Sequence, residues 1–243
     1  MCTVTYISNK DGDYILTSSR DESIYRTGSL LPEIETHGDI KILFPKDGEK
    51  GGTWIGVTNK NRTLCLLNGA FDKHIPTNDY TKSRGLVVLD FFKTEHTYSF
   101  IETYSLKGIE PFTLIIIDGG DKLTLTELKW DGLKKHTTQL NSSGCHIWSS
   151  ATLYNSEQVS YKSKRFHENI TKDTSDQAIF KYHDLGTELE PHLMKYISQV
   201  SPIETVSITQ IKHSKDKASI NYLTLNESKS HIKEIEFNSL TLI

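Results

Sequence analysis

Little in this sequence points toward a charged or membrane-bound partner. Three cysteines in 243 residues, Cys2, Cys65 and Cys145, are too few and too scattered for a disulfide framework, and none has paired metal-ligand spacing. The charge imbalance is small. Lys and Arg number 28 against 31 Asp and Glu, a formal charge of -3, so no strong field gathers nucleic acid or an anionic membrane. Tyr and Phe are scattered without a basic stripe, which excludes a nucleic-acid stacking platform. No basic leader precedes an apolar run at the start, and no run of about 18 apolar residues occurs, so no membrane span and a cytoplasmic location are expected. His136, Cys145 and His146 lack a second spaced pair, and His74, His167 and His183 read as surface residues, so no metal and no other cofactor is expected. No internal repeat or low-complexity linker divides the chain, and a single domain over residues 1–243 is expected.

What is present is a series of β-prone runs interrupted twice by helical blocks. Thr3 to Ser8 and Tyr14 to Ser19 flank Asn9-Lys10-Asp11-Gly12-Asp13, whose Asp-Gly step suits a tight hairpin. Ile40 to Phe44, Thr53 to Val57 and Thr63 to Asn68 complete five opening strands, with Arg26 to Asp39 and Gly69 to Thr81 as loops. Ser83 to Thr94 and His96 to Ser105 predict a helical pair. Phe112 to Ile117, Leu123 to Trp130, Lys134 to Thr138 and His146 to Ser149 predict strands. Ser156 to Lys172 and Ser175 to His183 place Val159, Phe166 and Ile170 at helical spacing, and Thr205 to His213, Ala218 to Leu225 and His231 to Phe237 close the chain as strands. Antiparallel hairpins around helical blocks predict an α+β fold, a four-layer α-β-β-α sandwich of two antiparallel sheets with helices outside.

Cys2 is the residue with the clearest chemical promise. Removal of Met1 leaves a free α-amine beside a thiol, so nucleophile and base share one residue. The amine titrates near about 7.7 to 8.0 and the thiol near about 8.5, which makes proton exchange between them nearly thermoneutral. The first hairpin returns the chain antiparallel and delivers Arg20-Asp21-Glu22 toward Cys2. Asp21 is expected to orient the α-ammonium, and Arg20 to lower the thiol pKa or receive a substrate carboxylate. Cys65, alternating within an apolar strand, is a buried small hydrophobe, and Cys145 has no charged pair around it.

Met1-Cys2, Ser19-Arg20-Asp21-Glu22, Gly51-Gly52-Thr53-Trp54-Ile55-Gly56 and Ser83-Arg84-Gly85-Leu86 with Asp90-Phe91 occur in that order. In this the chain resembles the NRDE family, named for Asn-Arg-Asp-Glu, which includes the transport-and-Golgi-organisation proteins. The resemblance is strongest from Met1 to Phe92. It implies an N-terminal-nucleophile hydrolase fold similar to the cysteine-type acylases, with Cys2 and Asp21 at comparable places. Two polar positions depart from the pattern: Ser19 stands where the family's named Asn does, and Ser150 where an amide side chain is usual. Asn68, at a strand end, is then the surviving oxyanion donor. Lys217 stands closest to a family Arg near the last hairpin and, with Trp54 at the mouth of the inter-sheet core and Ser150, is expected against substrate. The expected activity is hydrolysis of an amide or thioester in a small-molecule substrate. The alternative implied by the resemblance is a non-catalytic carrier holding haem or an acyl lipid.

All of this chemistry requires a free amine on Cys2. An intact-mass measurement of the purified protein is expected to show loss of one methionine residue, and a retained Met1 removes the base from the scheme.

Overall fold

The computed structural model describes residues 3–9, 12–23, 25, 28–77, 79–120, 122–184 and 203–238. Cys2 lies outside the described residues. Among the described residues the strands are β1 (Thr3–Ser8), β2 (Tyr14–Ser23), β3 (Ser29–His37), β4 (Ile40–Asp47), β5 (Ile55–Thr58), β6 (Arg62–Asn68), β7 (Phe112–Asp118), β8 (Thr124–Trp130), β9 (Lys135–Leu140), β10 (Cys145–Ser149), β11 (Ile203–His213), β12 (Lys217–Thr224) and β13 (Lys229–Glu236). They form two antiparallel sheets. The first has the order β10-β1-β2-β11-β12-β13, and the second runs β3-β4-β5-β6-β7-β8-β9 in chain sequence. The helices are α1 (Arg84–Phe92), α2 (Thr97–Thr103), α3 (Ser156–Arg165), a π-helical turn Phe166–Ile170 continuing it, and α4 (Asp176–His183).

Period-two alternation sorts the side chains of each sheet into layers. Val4, Tyr6, Tyr14 and Leu16 of the first sheet join the large core that includes Cys65 and Ile115 of the second. The opposite face of the first sheet presents Ile7 and Ile15, which pack with Phe166, Ile170, Ile179 and Tyr182 of the helical segments. Leu64 and Leu66 lie on the other face of β6 from Cys65, and α1 packs against β6 through a run of buried residues that includes Val87, Val88, Phe91 and Phe92. Phe91 stacks on Phe100 of α2 at 4.0 Å between ring centroids. The four layers expected from the element order are therefore present. Among the described residues no helix is long and apolar enough to cross a membrane.

Several boundaries differ from the sequence expectation. The segment read as a loop from Arg26 to Asp39 contains β3, an edge strand whose pairing with β4 is irregular between Leu30 and Glu33. Pro32 sits at that irregularity, where its missing N–H costs no ladder bond. Pro32 and the Glu residues of this half-solvated edge obscure the alternation by which a strand is recognised. β2 runs on to Ser23 because β11 pairs with it along its whole length, so Arg20, Asp21 and Glu22 lie inside a strand rather than beyond its end. His183, read as a surface residue, is 2% exposed: it ends α4 facing β1, and its Nε2 lies 2.8 Å from Thr5 Oγ1. Cys65 is fully buried as expected, and burial pushes its thiol up to about 12.

One end of the sandwich is locked by polar contacts between the sheets. Tyr14 Oη donates to Thr63 Oγ1 at 2.8 Å, and the Tyr14 ring stacks on His213 at 4.4 Å. His213 Nε2 meets Asn61 Oδ1 at 2.8 Å. Burial lowers the His213 imidazole to about 4 from its usual 6.5. The folded chain then holds this ring neutral, whereas the unfolded chain takes up a proton below about pH 6.5. Its contribution is fully present above that pH and is lost as the pH falls toward 4, on the order of 1–3 kcal/mol. His183, also lowered by burial and then by Lys162, acts with the same sign. Denaturant midpoints are expected to fall between pH 7 and pH 4.5, and His213→Phe, which keeps a ring against Tyr14, is expected to remove part of that slope.

Candidate active site

Adjacent residues of a strand face opposite ways, and β2 uses this at Arg20 and Asp21. Arg20, 3% exposed, faces the second sheet: its guanidinium lies 5.2 Å from the centroid of the Trp54 ring, and Nη2 is 3.1 Å from Asp47 Oδ2 and 3.7 Å from Glu22 Oε2. Asp21, 5% exposed, faces the α3 and α4 layer. There Thr205 Oγ1 donates to Asp21 Oδ1 at 2.6 Å, and Tyr154 Oη donates to Oδ2 at 3.1 Å. Thr3 Oγ1 lies 3.5 Å from the same Tyr154 hydroxyl. A register shift in β11 makes this possible. Ser207 pairs with Arg20 but Thr205 pairs with Asp21, so one extra residue at this bulge turns Thr205 to the face where the carboxylate lies. β1 begins at Thr3, which lies opposite Ser19 of β2 and Ser149 of β10.

On the other face, Arg20, Trp54, Asn68, Ser83, Arg84 and Glu110 help to line a crevice of about 190 Å³. Its far wall is the N-terminus of α1, seated on the β4–β5 connection by two glycines. A Cβ on Gly52 would lie 2.5 Å from the Gly85 carbonyl carbon, and one on Gly85 would lie 3.0 Å from the Thr53 oxygen. The Thr53 N–H donates to Gly85 O at 3.2 Å across this contact. Only residues without side chains permit that approach, which accounts for the Gly51-Gly52-Thr53-Trp54 and Ser83-Arg84-Gly85 motifs. Beyond the other end of α1, Arg62 donates to the Thr94 and Glu95 carbonyls at 2.6 and 3.1 Å while pairing with Asp118 at 2.6 Å. The helix is thus held at both ends. Glu110 pairs with Arg84 at 3.0 Å and with His74 at 3.0 Å. A second hollow, of about 870 Å³, is lined by Phe71, Trp148, Ser149, Thr152 and Tyr154 among others, near the start of β1.

Arg20, Trp54 and Asn68 therefore meet in one crevice, while Asp21 lies across the sheet from them. Ser150 is close by but does not line the crevice. It is 1% exposed, and its hydroxyl donates to the Asn68 carbonyl at 2.9 Å, tying the residue after β10 to the end of β6. Lys217, expected against substrate, opens β12 at the other end of the first sheet. The register aligns neighbouring Ala218 with His213 and Tyr14, and Thr224 with Ser207 and Arg20. Lys217 pairs there with Glu234 in solvent. The β11–β12 turn falls at the end away from the crevice because β11 is antiparallel to β2 and has already passed Arg20. Sequence reasoning missed Tyr154 and Thr205, which lie 133 and 184 positions from Asp21 and carry no motif. It also passed over Ser83 as anything but part of a motif. Among the described residues no three His, Cys, Asp or Glu side chains gather as a metal ion would require.

The two packed antiparallel sheets give the chain an N-terminal-nucleophile hydrolase-like fold, and comparison with solved structures agrees. The chain is similar to the N-acylethanolamine-hydrolyzing acid amidase ortholog of Caenorhabditis elegans, with a TM-score of 0.56 and 10% identity over 86% of this chain and 92% of that one. It is similar to penicillin V acylase from Agrobacterium tumefaciens, with a TM-score of 0.57 and 10% identity over 99% and 87%. It also resembles conjugated bile acid hydrolase from Clostridium perfringens, solved as a cysteine-to-alanine variant at position two, with a TM-score of 0.52 and 11% identity over 98% and 97%. Residues 1–231 match the model of the Transport and Golgi organisation 2 family, and the chain belongs to that family. No curated protein matches it significantly by sequence.

The two donors on Asp21 can be tested separately from any activity. Tyr154→Phe removes a hydrogen bond to a buried carboxylate and is expected to cost about 1.5–3 kcal/mol. The check is the shift of the denaturant midpoint at pH 7.

Proposed function

We propose that this protein is an N-terminal-nucleophile hydrolase that opens an amide or thioester bond in a small molecule through Cys2. The observation that carries this reading is the Asp21 carboxylate, buried with both oxygens accepting hydrogen bonds. It stands two residues along β2 from Ser19, which lies opposite Thr3, the residue bonded to Cys2. Family membership and the hydrolase fold of the solved neighbours support it.

In the proposed cycle Cys2 Sγ forms a bond to the substrate carbonyl carbon while its proton passes to the α-amine of the same residue. Asp21 stabilises the resulting α-ammonium, and Asn68 Nδ2 donates to the tetrahedral oxyanion. The side-chain amide of Asn68 has no hydrogen-bond partner among the described residues, which leaves its donor available. Collapse breaks the bond to the leaving nitrogen or sulfur, which takes the proton from the ammonium. Water, deprotonated by the regenerated amine, then hydrolyses the acyl thioester on Cys2. Arg20 has its charge partnered by Asp47 and Glu22, so its contribution is to hold the Trp54 ring and the crevice wall. The alternative of a haem or acyl-lipid carrier fits this crevice less well, because Arg20, Glu22, Asp47, Arg84 and Glu110 all line it.

The test is covalent capture. After exposure to the octanoyl thioester of N-acetylcysteamine, the protein is expected to gain one octanoyl group by intact mass. Cys2→Ala is expected to gain none, and Asn68→Ala to acylate about a hundredfold more slowly. Undiminished labelling of Cys2→Ala places the nucleophile elsewhere.

A further inference from the structure

Two residues that line the crevice carry buried donors that the proposed bond cleavage does not use. Trp54 is 4% exposed and lines the crevice, and its indole Nε1–H has no hydrogen-bond partner among the described residues. A buried, unpaired N–H of this kind is costly to keep, so it is retained where something else satisfies it. The Ser83 hydroxyl, lining the same crevice, is equally buried and unpartnered. Ser83 is the residue before α1, a position where a serine oxygen ordinarily accepts from the first-turn N–H groups, yet here it makes no such bond. The first turn of α1 also carries no acidic side chain. The positive end of this nine-residue helix therefore faces the crevice without a side-chain anion of its own.

Two unpaired neutral donors and an uncapped helix end together select a ligand group that accepts hydrogen bonds and carries negative charge. The cations nearby do not supply that selection, because Arg20 is paired with Asp47 and Arg84 with Glu110. We infer that the Trp54 indole N–H and the Ser83 hydroxyl, at the N-terminus of α1, form a subsite for a carboxylate on the substrate. This rests on the reading of the crevice as a substrate site and narrows it to amides or thioesters that bear a carboxylate. The Gly52–Gly85 contact gains a purpose from it, since that close approach brings the helix end beside Trp54.

Binding can be read without turnover in the full-length Cys2→Ala protein, by calorimetric titration with N-octanoylglycine and with its methyl ester. The acid is expected to bind at least about tenfold more tightly than the ester. Trp54→Phe, which keeps the ring but removes the N–H, and Ser83→Ala are each expected to weaken binding of the acid about tenfold to a hundredfold, with the ester unchanged. Equal binding of acid and ester, binding of neither, or wild-type affinity for the acid in both variants overturns the inference. Ser83→Ala removes no hydrogen bond among the described residues and stands as the deciding variant should Trp54→Phe fail to fold by circular dichroism. Acylation of Cys2 by the thioester probe without a preference for the acid sinks the carboxylate subsite alone. A preference for the acid with no acylation sinks the nucleophile alone.

Discussion

A carboxylate withdrawn from water is costly unless its oxygens are hydrogen-bonded, and Asp21 meets that condition with groups from two remote parts of the chain. Asp21 comes from the second strand, Tyr154 from the segment before α3, and Thr205 from β11 near its bulge. The first sheet must therefore be complete, and the helical layer seated on it, before this anion is stabilised. In the proposed cycle this carboxylate is the group that stabilises the α-ammonium of Cys2.

Alternation along β2 divides the labour of two neighbouring residues. Arg20 takes the face toward the second sheet, where it packs over Trp54, and Asp21 takes the face toward the helices. The crevice wall and the buried anion are thus mechanically linked through one peptide unit yet electrostatically separated by the sheet. Arg62, far along the second sheet, completes the frame by holding the residues after α1 while the paired glycines hold its start. Arg20 and Arg62 reach from strands, and Gly85 from α1, to Trp54, Thr94 and Gly52 in the connecting segments, so regular elements anchor the segments around the crevice and α1.

Much of the architecture was legible. The hairpin at Gly12, the long apolar run of β7 and the two helical blocks all carry local signals, and their order already implied two sheets with helices outside. β3 was not legible, because an edge strand exposes half its residues and Pro32 interrupts its pairing. Motifs and a strand end singled out Arg20, Asp21, Trp54 and Asn68, and the structure brings Arg20, Trp54 and Asn68 to one crevice with Asp21 on the opposite face of β2. That Lys217 lies at the far end of the first sheet was not legible, since a hairpin's position along a sheet depends on the register with β2, which no local pattern records. His183 was misjudged for a similar reason, as an isolated histidine carries no sign of the face its helix will bury.

By itself the sequence determined the elements with strong periodicity and the family to which the motifs belong. Those are properties of adjacent or regularly spaced residues, and they follow from covalent geometry and side-chain chemistry. Tertiary structure alone decided which face each of Arg20 and Asp21 occupies, that Tyr154 and Thr205 hold the carboxylate, and that Trp54 and Ser83, whose donors have no partner among the described residues, line one crevice. Hydrogen-bond satisfaction and burial are relations between residues distant along the chain, so they exist only once the sheets have paired and packed.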